Sequence, residues 1–139
     1  MPINEHVTKQ EVRLAVEHQA ISSDTTTAGA IFDTADYDGG IYFALLVDTY
    51  TDGTYTLKIE HGDNSALSDA ADVDSAMLVY GTLPALSAAL AEGDMMPREG
   101  IHSTKRYVRA SIVSTSVTTG ASAAVMIIKD AEFAPTDQS

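Results

Sequence analysis

The chain has 139 residues, 45% of them hydrophobic, which is enough for one domain with a buried core. Acidic residues outnumber basic ones by 20 to 8, a formal charge of −12, so the chain repels a phosphate backbone and no direct nucleic-acid partner is expected. Cysteine is absent, which excludes disulfides and thiol catalysis. No run approaches the roughly 20 apolar residues of a membrane span, and no apolar signal-peptide core is present, so we expect a soluble protein without a membrane partner.

The N-terminal stretch MPINEHVTKQE is polar, lacks periodicity and contains a proline. It predicts an extended arm over residues 1–11, which at full stretch reaches at most about 36–40 Å and can cross onto a neighbouring subunit. Residues 12–130 are predicted to form a single domain, and residues 131–139 a polar C-terminal tail.

Residues 12–21 alternate between two faces, which predicts a half-buried strand. Its predicted inner face carries Val12, Leu14, Val16, His18 and Ala20. Residues 22–29 are rich in Ser, Thr, Asp and Gly and are interpreted as a loop, and the glycines of residues 36–40 indicate a turn.

Residues 41–61 are predicted to form a β-hairpin around an Asp-Gly turn. A three-residue loop, with Gly53 in the left-handed region, places Val47 opposite Leu57 and keeps the large apolar side chains on one face. The first strand is apolar on both faces and is therefore expected to be central or covered on both sides.

The C-terminal half predicts core strands at 77–80, 105–114 and 122–129, with both faces of the last one apolar. Residues 83–96 are predicted to form either a helix or a loop, because prolines and a glycine confine the alanine-rich run. Residues 97–103 are predicted to be a turn. The resulting fold class is all-β: an antiparallel β-sandwich or jelly-roll-like barrel of about 6–8 strands, with at most one short helix.

The motifs of catalytic sites are missing: the four histidines are scattered, and no nucleophile elbow or phosphate loop occurs. We therefore expect no enzyme activity and no cofactor. Two acidic stretches could supply oxygen ligands to calcium, although neither has EF-hand spacing, and ordinary turn and capping roles are the simpler interpretation. Their residues are Asp33, Asp36 and Asp38 in one stretch, and Asp63, Asn64, Asp69, Asp72 and Asp74 in the other.

Four basic residues, Arg98, Lys105, Arg106 and Arg109, form a cationic cluster in the sequence of this acidic chain. They are interpreted either as solvated strand ends or as a contact point for an acidic neighbour, which is another copy of the chain or another protein.

Two stretches carry a family resemblance: residues 36–63, with the pattern DYDGG followed by YTDGTYTLKIEHGD, and residues 106–121, with RYVRASIVST followed by Gly120 and Ala121. Together they resemble capsid decoration (cement) proteins of tailed bacteriophages, over roughly residues 30–128.

The resemblance implies a structural protein on the outer capsid surface of the virion, made in the host cytoplasm, that bridges neighbouring capsomers. Its implied partners are the major capsid protein and further copies of itself, as a trimer or a dimer. The residues expected to contact a partner are Pro2, Ile3, Asn4, Glu5, His6 and Val7 of the arm, together with Arg98, Arg106 and Arg109. The alternative function is a calcium-assisted β-sandwich binding or adhesion module.

Overall fold

The computed structural model describes residues 11–36, 41–102 and 105–129. The predicted arm residues Pro2 to Val7, the C-terminal tail and Asp38 lie outside these residues. In the described part, nine strands and two single-turn 3-10 helices (Thr34–Asp36 and Ser75–Met77) follow one another, without an α-helix. The strands are β1 (Glu11–Ile21), β2 (Thr25–Asp33), β3 (Ile41–Asp48), β4 (Thr54–Gly62), β5 (Ala71–Asp72), β6 (Ala85–Leu86), β7 (Arg98–Ile101), β8 (Tyr107–Thr115) and β9 (Ala121–Lys129).

The strands form two antiparallel sheets that pack as a β-sandwich, which confirms the predicted fold class and decides against the closed-barrel variant. The first sheet has the order β1-β9-β3-β7, and the second has the order β2-β8-β4-β5 with β6 also paired to β4. No described helix is long and apolar enough to span a membrane.

The core lies between the sheets and is built from alternate residues of the long central strands. From the first sheet, Phe43, Leu45 and Val47 are completely buried, and from the second, Tyr55, Leu57 and Ile59 face them. The period-two pattern of these strands therefore has a simple cause: one face of each sheet packs against the other sheet.

The predicted hairpin over residues 41–61 is wrong. Strand β3 pairs with β7 and β9, whereas β4 pairs with β5, β6 and β8, so the chain crosses from one sheet to the other at Asp-Gly. The large apolar side chains do share the core, but they meet across it instead of along one sheet. Gly53 has the predicted positive φ, at 100°, and β3 is central as expected.

Three further local predictions differ from the structure, and of the two alternatives for residues 83–96 the structure excludes the helix. Residues 25–29, expected in a loop, belong to β2, and residues 98–101, expected in a turn, form β7. Residues 83–96 contain only the short β6 and turns, because hydrogen bonds to the edges of β3 and β4 hold this segment extended. In the predicted core strand 77–80, Leu78 alone is buried and forms a bridge to Ile101.

Strand β1 does not keep one alternation along its length. The register against β9 shifts between Leu14 and Val16 and again between Val16 and Gln19. These bulges bury Ala15 and Val16 next to each other. Of the predicted inner face only Val16 is buried, and the prediction is wrong for the four exposed residues Val12, Leu14, His18 and Ala20.

Candidate interaction surfaces

The predicted basic cluster is divided between the two sheets. Arg98 lies in β7 of the first sheet, while Arg109 lies in β8 of the second, with Arg106 and Lys105 just before that strand. In the described part of the chain, the structure brings three of the four basic residues together and separates Arg98 from them.

Ion pairs within the second sheet occupy its basic side chains. Arg106 donates to both carboxylate oxygens of Asp33, with nitrogen–oxygen distances of 3.0–3.2 Å, and its guanidinium lies 5.3 Å from the centre of the Tyr107 ring. Arg109 donates to Glu60 at 3.1 Å on the neighbouring strand β4, where both side chains are largely buried. A neighbour would have to displace these carboxylates to use either arginine.

Arg98 differs from the other basic residues. Its side chain is exposed at the edge of the first sheet, opposite Ala44 of β3. Among the described Lys and Arg side chains, it alone has no hydrogen bond or ion pair to another group. Of the three predicted contact arginines, Arg98 is therefore the one whose charge is available to a partner.

The acidic stretches act as turn and loop caps in the described chain. The carboxylate of Asp69 accepts from the backbone N–H groups of Asp63 and Asn64, and the first of these bonds is the main cause that lowers its pKa. Asp33 has a lowered pKa chiefly because of its hydrogen bond from Arg106.

Asp63 pairs with Lys105, and Asp72 lies 3.8 Å from Lys58. Asp74 caps the 3-10 helix that follows it.

No group of three or more potential metal-ligating side chains occurs among the residues that the structure describes. The described carboxylates of the two acidic stretches are therefore not gathered into such a group. The observed contacts of their carboxylates are hydrogen bonds to turn and loop backbone, together with ion pairs to basic side chains.

The exposed large apolar side chains of the described chain all lie at the two edges of the first sheet. Val12 (60% exposed) and Leu14 (55%) belong to β1 at one edge. Val79 (38%), Tyr80 (56%) and Met95 (77%) lie in the segments beside and before β7 at the other edge. Surface apolar side chains gathered in this way mark interaction sites more often than scattered ones do.

The outer face of the first sheet joins these two edges. Its central side chains are uncharged and apolar; the two alanines among them are buried, and the four larger side chains are half-buried. They are Tyr42, Ala44 and Leu46 of β3, and Ala124, Met126 and Ile128 of β9. The sequence already showed that each of these two strands has a second apolar face. The register of β3 against β9 shows that the two faces lie side by side on the outside of the sheet.

Glu99 anchors the β7 edge from inside. It is completely buried, and its Oε1 accepts from the backbone N–H groups of Tyr80 at 2.7 Å and Gly100 at 2.9 Å. These bonds fix the segment around Tyr80 to β7. Sequence reasoning missed Glu99, since an isolated Glu between Arg and Gly shows no sign of burial.

Searches against protein-family models, curated proteins and solved structures found no match to this chain.

Proposed function

We propose that this protein is a structural virion protein that decorates and stabilises the outer surface of a phage capsid by bridging neighbouring capsomers. The observation that supports it best is the concentration of exposed apolar side chains at the edges of the first sheet. The carboxylates and ion pairs of the described chain lie mainly on the second sheet and its loops, as suits a surface that stays in solvent.

The β1 edge is the proposed contact with the major capsid protein. Strand β1 ends the order of the first sheet, so its outer backbone groups up to Leu14 are available for pairing with a further strand. The exposed side chains of Val12 and Leu14 add apolar contact area there. The predicted arm, residues 1–11, leads into β1, and we propose that it takes part in the same contact.

The test is co-sedimentation with expanded capsid shells of the cognate phage. We expect the wild-type protein to sediment with the shells, and Leu14→Glu to weaken binding at least about tenfold, because it places a charge in the apolar contact. Thr26→Glu is the matched control: it adds the same charge to an exposed position of β2, an edge strand of the other sheet, and should bind like the wild type.

Deleting residues 1–10 should weaken retention on the shells and leave the melting temperature of the isolated domain unchanged. Failure of the wild-type protein to sediment with cognate shells rejects the decoration function. Binding of Leu14→Glu at wild-type strength rejects the β1 edge as the contact.

A further inference from the structure

The opposite edge of the first sheet carries a second surface, which we call the β7 patch. It consists of three exposed apolar side chains, Val79, Tyr80 and Met95, and two charged ones, Glu92 and Arg98. This patch is separated from the β1 edge by the width of the sheet, which is about 14 Å for three strand spacings.

One half of the β7 patch is a fixed platform. The backbone N–H of Val79 donates to the carbonyl of Gly100 at 2.9 Å, and that of His102 donates to Met77 at 2.8 Å. Above Gly100, the side chains of Val79 and Tyr42 occupy the space that a Cβ at this position would need, so glycine is required there. Together with the buried Glu99, these contacts hold Val79 and Tyr80 against β7.

The other half is a turn between Leu90 and Pro97, which are both hydrogen-bonded to the backbone of β3. The backbone N–H of Asp94 donates to the carbonyl of Ala91 at 3.0 Å, the side chain of Asp94 accepts from the N–H of Ala91 at 2.9 Å, and Gly93 has a φ of +90°. This closed turn presents Glu92 and leads into Met95, the most exposed large apolar residue of the described chain. The Cα atoms of Met95 and Arg98 lie within about 10–11 Å of each other, because only two residues separate them.

The two charged side chains of the patch, Glu92 and Arg98, have opposite signs. Neither Glu92 nor Arg98 has an ion pair or side-chain hydrogen bond to another described residue. Because each copy exposes one charge of each sign and three apolar side chains on the segments along this edge, the patch of one copy complements the same patch of another. Such self-complementarity is the requirement for an interface across a twofold axis.

We propose that the β7 patch binds the β7 patch of a second copy in a twofold dimer. Arg98 of each copy meets Glu92 of the other, and Met95 packs against Val79 and Tyr80 of the other copy, where the thioether also makes a favourable contact with the aromatic ring. Elsewhere, a formal charge of −12 on each copy opposes association, so the contact is confined to a region where the charges balance.

The size of the patch predicts a weak, reversible dimer. Five side chains provide much less than the roughly 800 Å² per partner of a standard stable interface. The isolated protein is therefore expected to be monomeric when dilute and dimeric when concentrated, and the dimer would gain from the high local concentration on a shell.

The test is sedimentation equilibrium of the isolated protein over a wide concentration range. We expect a monomer–dimer equilibrium for the wild type, weakened about tenfold or more in Arg98→Glu and in Glu92→Arg, since each variant sets like charges opposite each other twice. Mixed in equal amounts, the two variants should form a heterodimer of near wild-type strength, because both cross-copy pairs then have opposite signs. Thr115→Glu, an exposed position at the end of β8 on the second sheet, is the control and should dimerise like the wild type.

The proposal is overturned if the wild type stays monomeric at all concentrations, if it forms trimers, or if the mixture associates no better than the single variants. Circular dichroism melting confirms that each variant is folded. No capsid is involved in this measurement, so dimer formation and capsid binding succeed or fail independently.

Discussion

Asp52 shows how a single carboxylate fixes the crossing between the two sheets. Its oxygens accept from the backbone N–H groups of Thr118, Thr119 and Gly120 at 2.9–3.1 Å, and its own carbonyl accepts from the Tyr55 hydroxyl. The loop between β3 and β4 is thereby tied to the loop between β8 and β9. The same backbone hydrogen bonds, with those of Thr118 and Thr119 the largest causes, lower the pKa of Asp52 from its usual value of 3.8.

These bonds predict a specific loss of stability in acid. Because the pKa of Asp52 is lower in the folded than in the unfolded state, its contribution is complete above the unfolded value and is lost as the pH falls through the folded one. We expect the free energy of unfolding of the wild type to fall more steeply below about pH 4 than that of Asp52→Asn, which has no charge to lose. Urea denaturation from pH 7 to pH 2 measures this.

The comparison with Asp52→Asn isolates this carboxylate, since Asp33 and Asp69 also have lowered pKa values and remain in both proteins. Parallel stability curves for the two proteins in acid would show that the bonds to residues 118–120 do not favour the charged form of Asp52.

At the scale of the strands, the bulges of β1 are coupled to one residue of β2. Gly29 lies against the carbonyl oxygens of Ala15 and Ala110, and a Cβ there would overlap both and also the side chain of Val16. The edge strands of the two sheets thus approach each other at the point where β1 is bulged. The edge of β1 is therefore covered by β2 at Ala15, whereas Val12 and Leu14 before it are exposed.

Gly29→Ala is therefore expected to destabilise the protein by about 3 kcal/mol or more, because the added methyl group has no room to enter without moving backbone. Urea denaturation against Gly81→Ala provides the comparison. Gly81 has a φ of +80° with empty space around its Cβ position, so the substitution there should cost only about 1–2 kcal/mol of backbone strain. Equal or smaller destabilisation by Gly29→Ala would contradict the close approach of β1 and β2.

The strands also show where periodicity is and is not informative. Alternation identified the buried residues of β3, β4, β8 and β9, because it depends only on which side of a strand faces the core. Alternation did not predict strand β7, because the inner face of this strand includes a charged residue, the buried Glu99. It also misassigned β1 on both sides of Val16, because each of the two register shifts changes the face on which the neighbouring residues lie.

At the scale of the whole molecule, the pairing of β1 with β9 joins the two ends of the described chain, with Glu11 opposite Lys129. The second sheet likewise pairs β2 with β8, so most of the sandwich forms only when distant segments meet. Since closing long loops must precede these contacts, we expect refolding in milliseconds to seconds rather than microseconds. Stopped-flow dilution from urea, followed by tyrosine fluorescence, measures the rate.

Refolding in microseconds would show that the pairing of distant segments does not limit the folding rate. The rate should be independent of protein concentration in the dilute range, which separates folding of the domain from association through the β7 patch.

The sequence by itself determined the all-β class, the burial of Phe43, Leu45, Val47 and their counterparts in β4, and the left-handed turn at Gly53. These are local properties, fixed by alternation and by the steric freedom of glycine. Only the tertiary structure decided that β3 and β4 belong to different sheets, because two apolar strand faces bury each other equally well side by side or across a core. The tertiary structure also decided which basic side chains remain available to a partner, since a charge is neutralised by residues that are distant in the chain. Arg109 pairs with Glu60 and Arg106 pairs with Asp33, whereas Arg98 is left exposed.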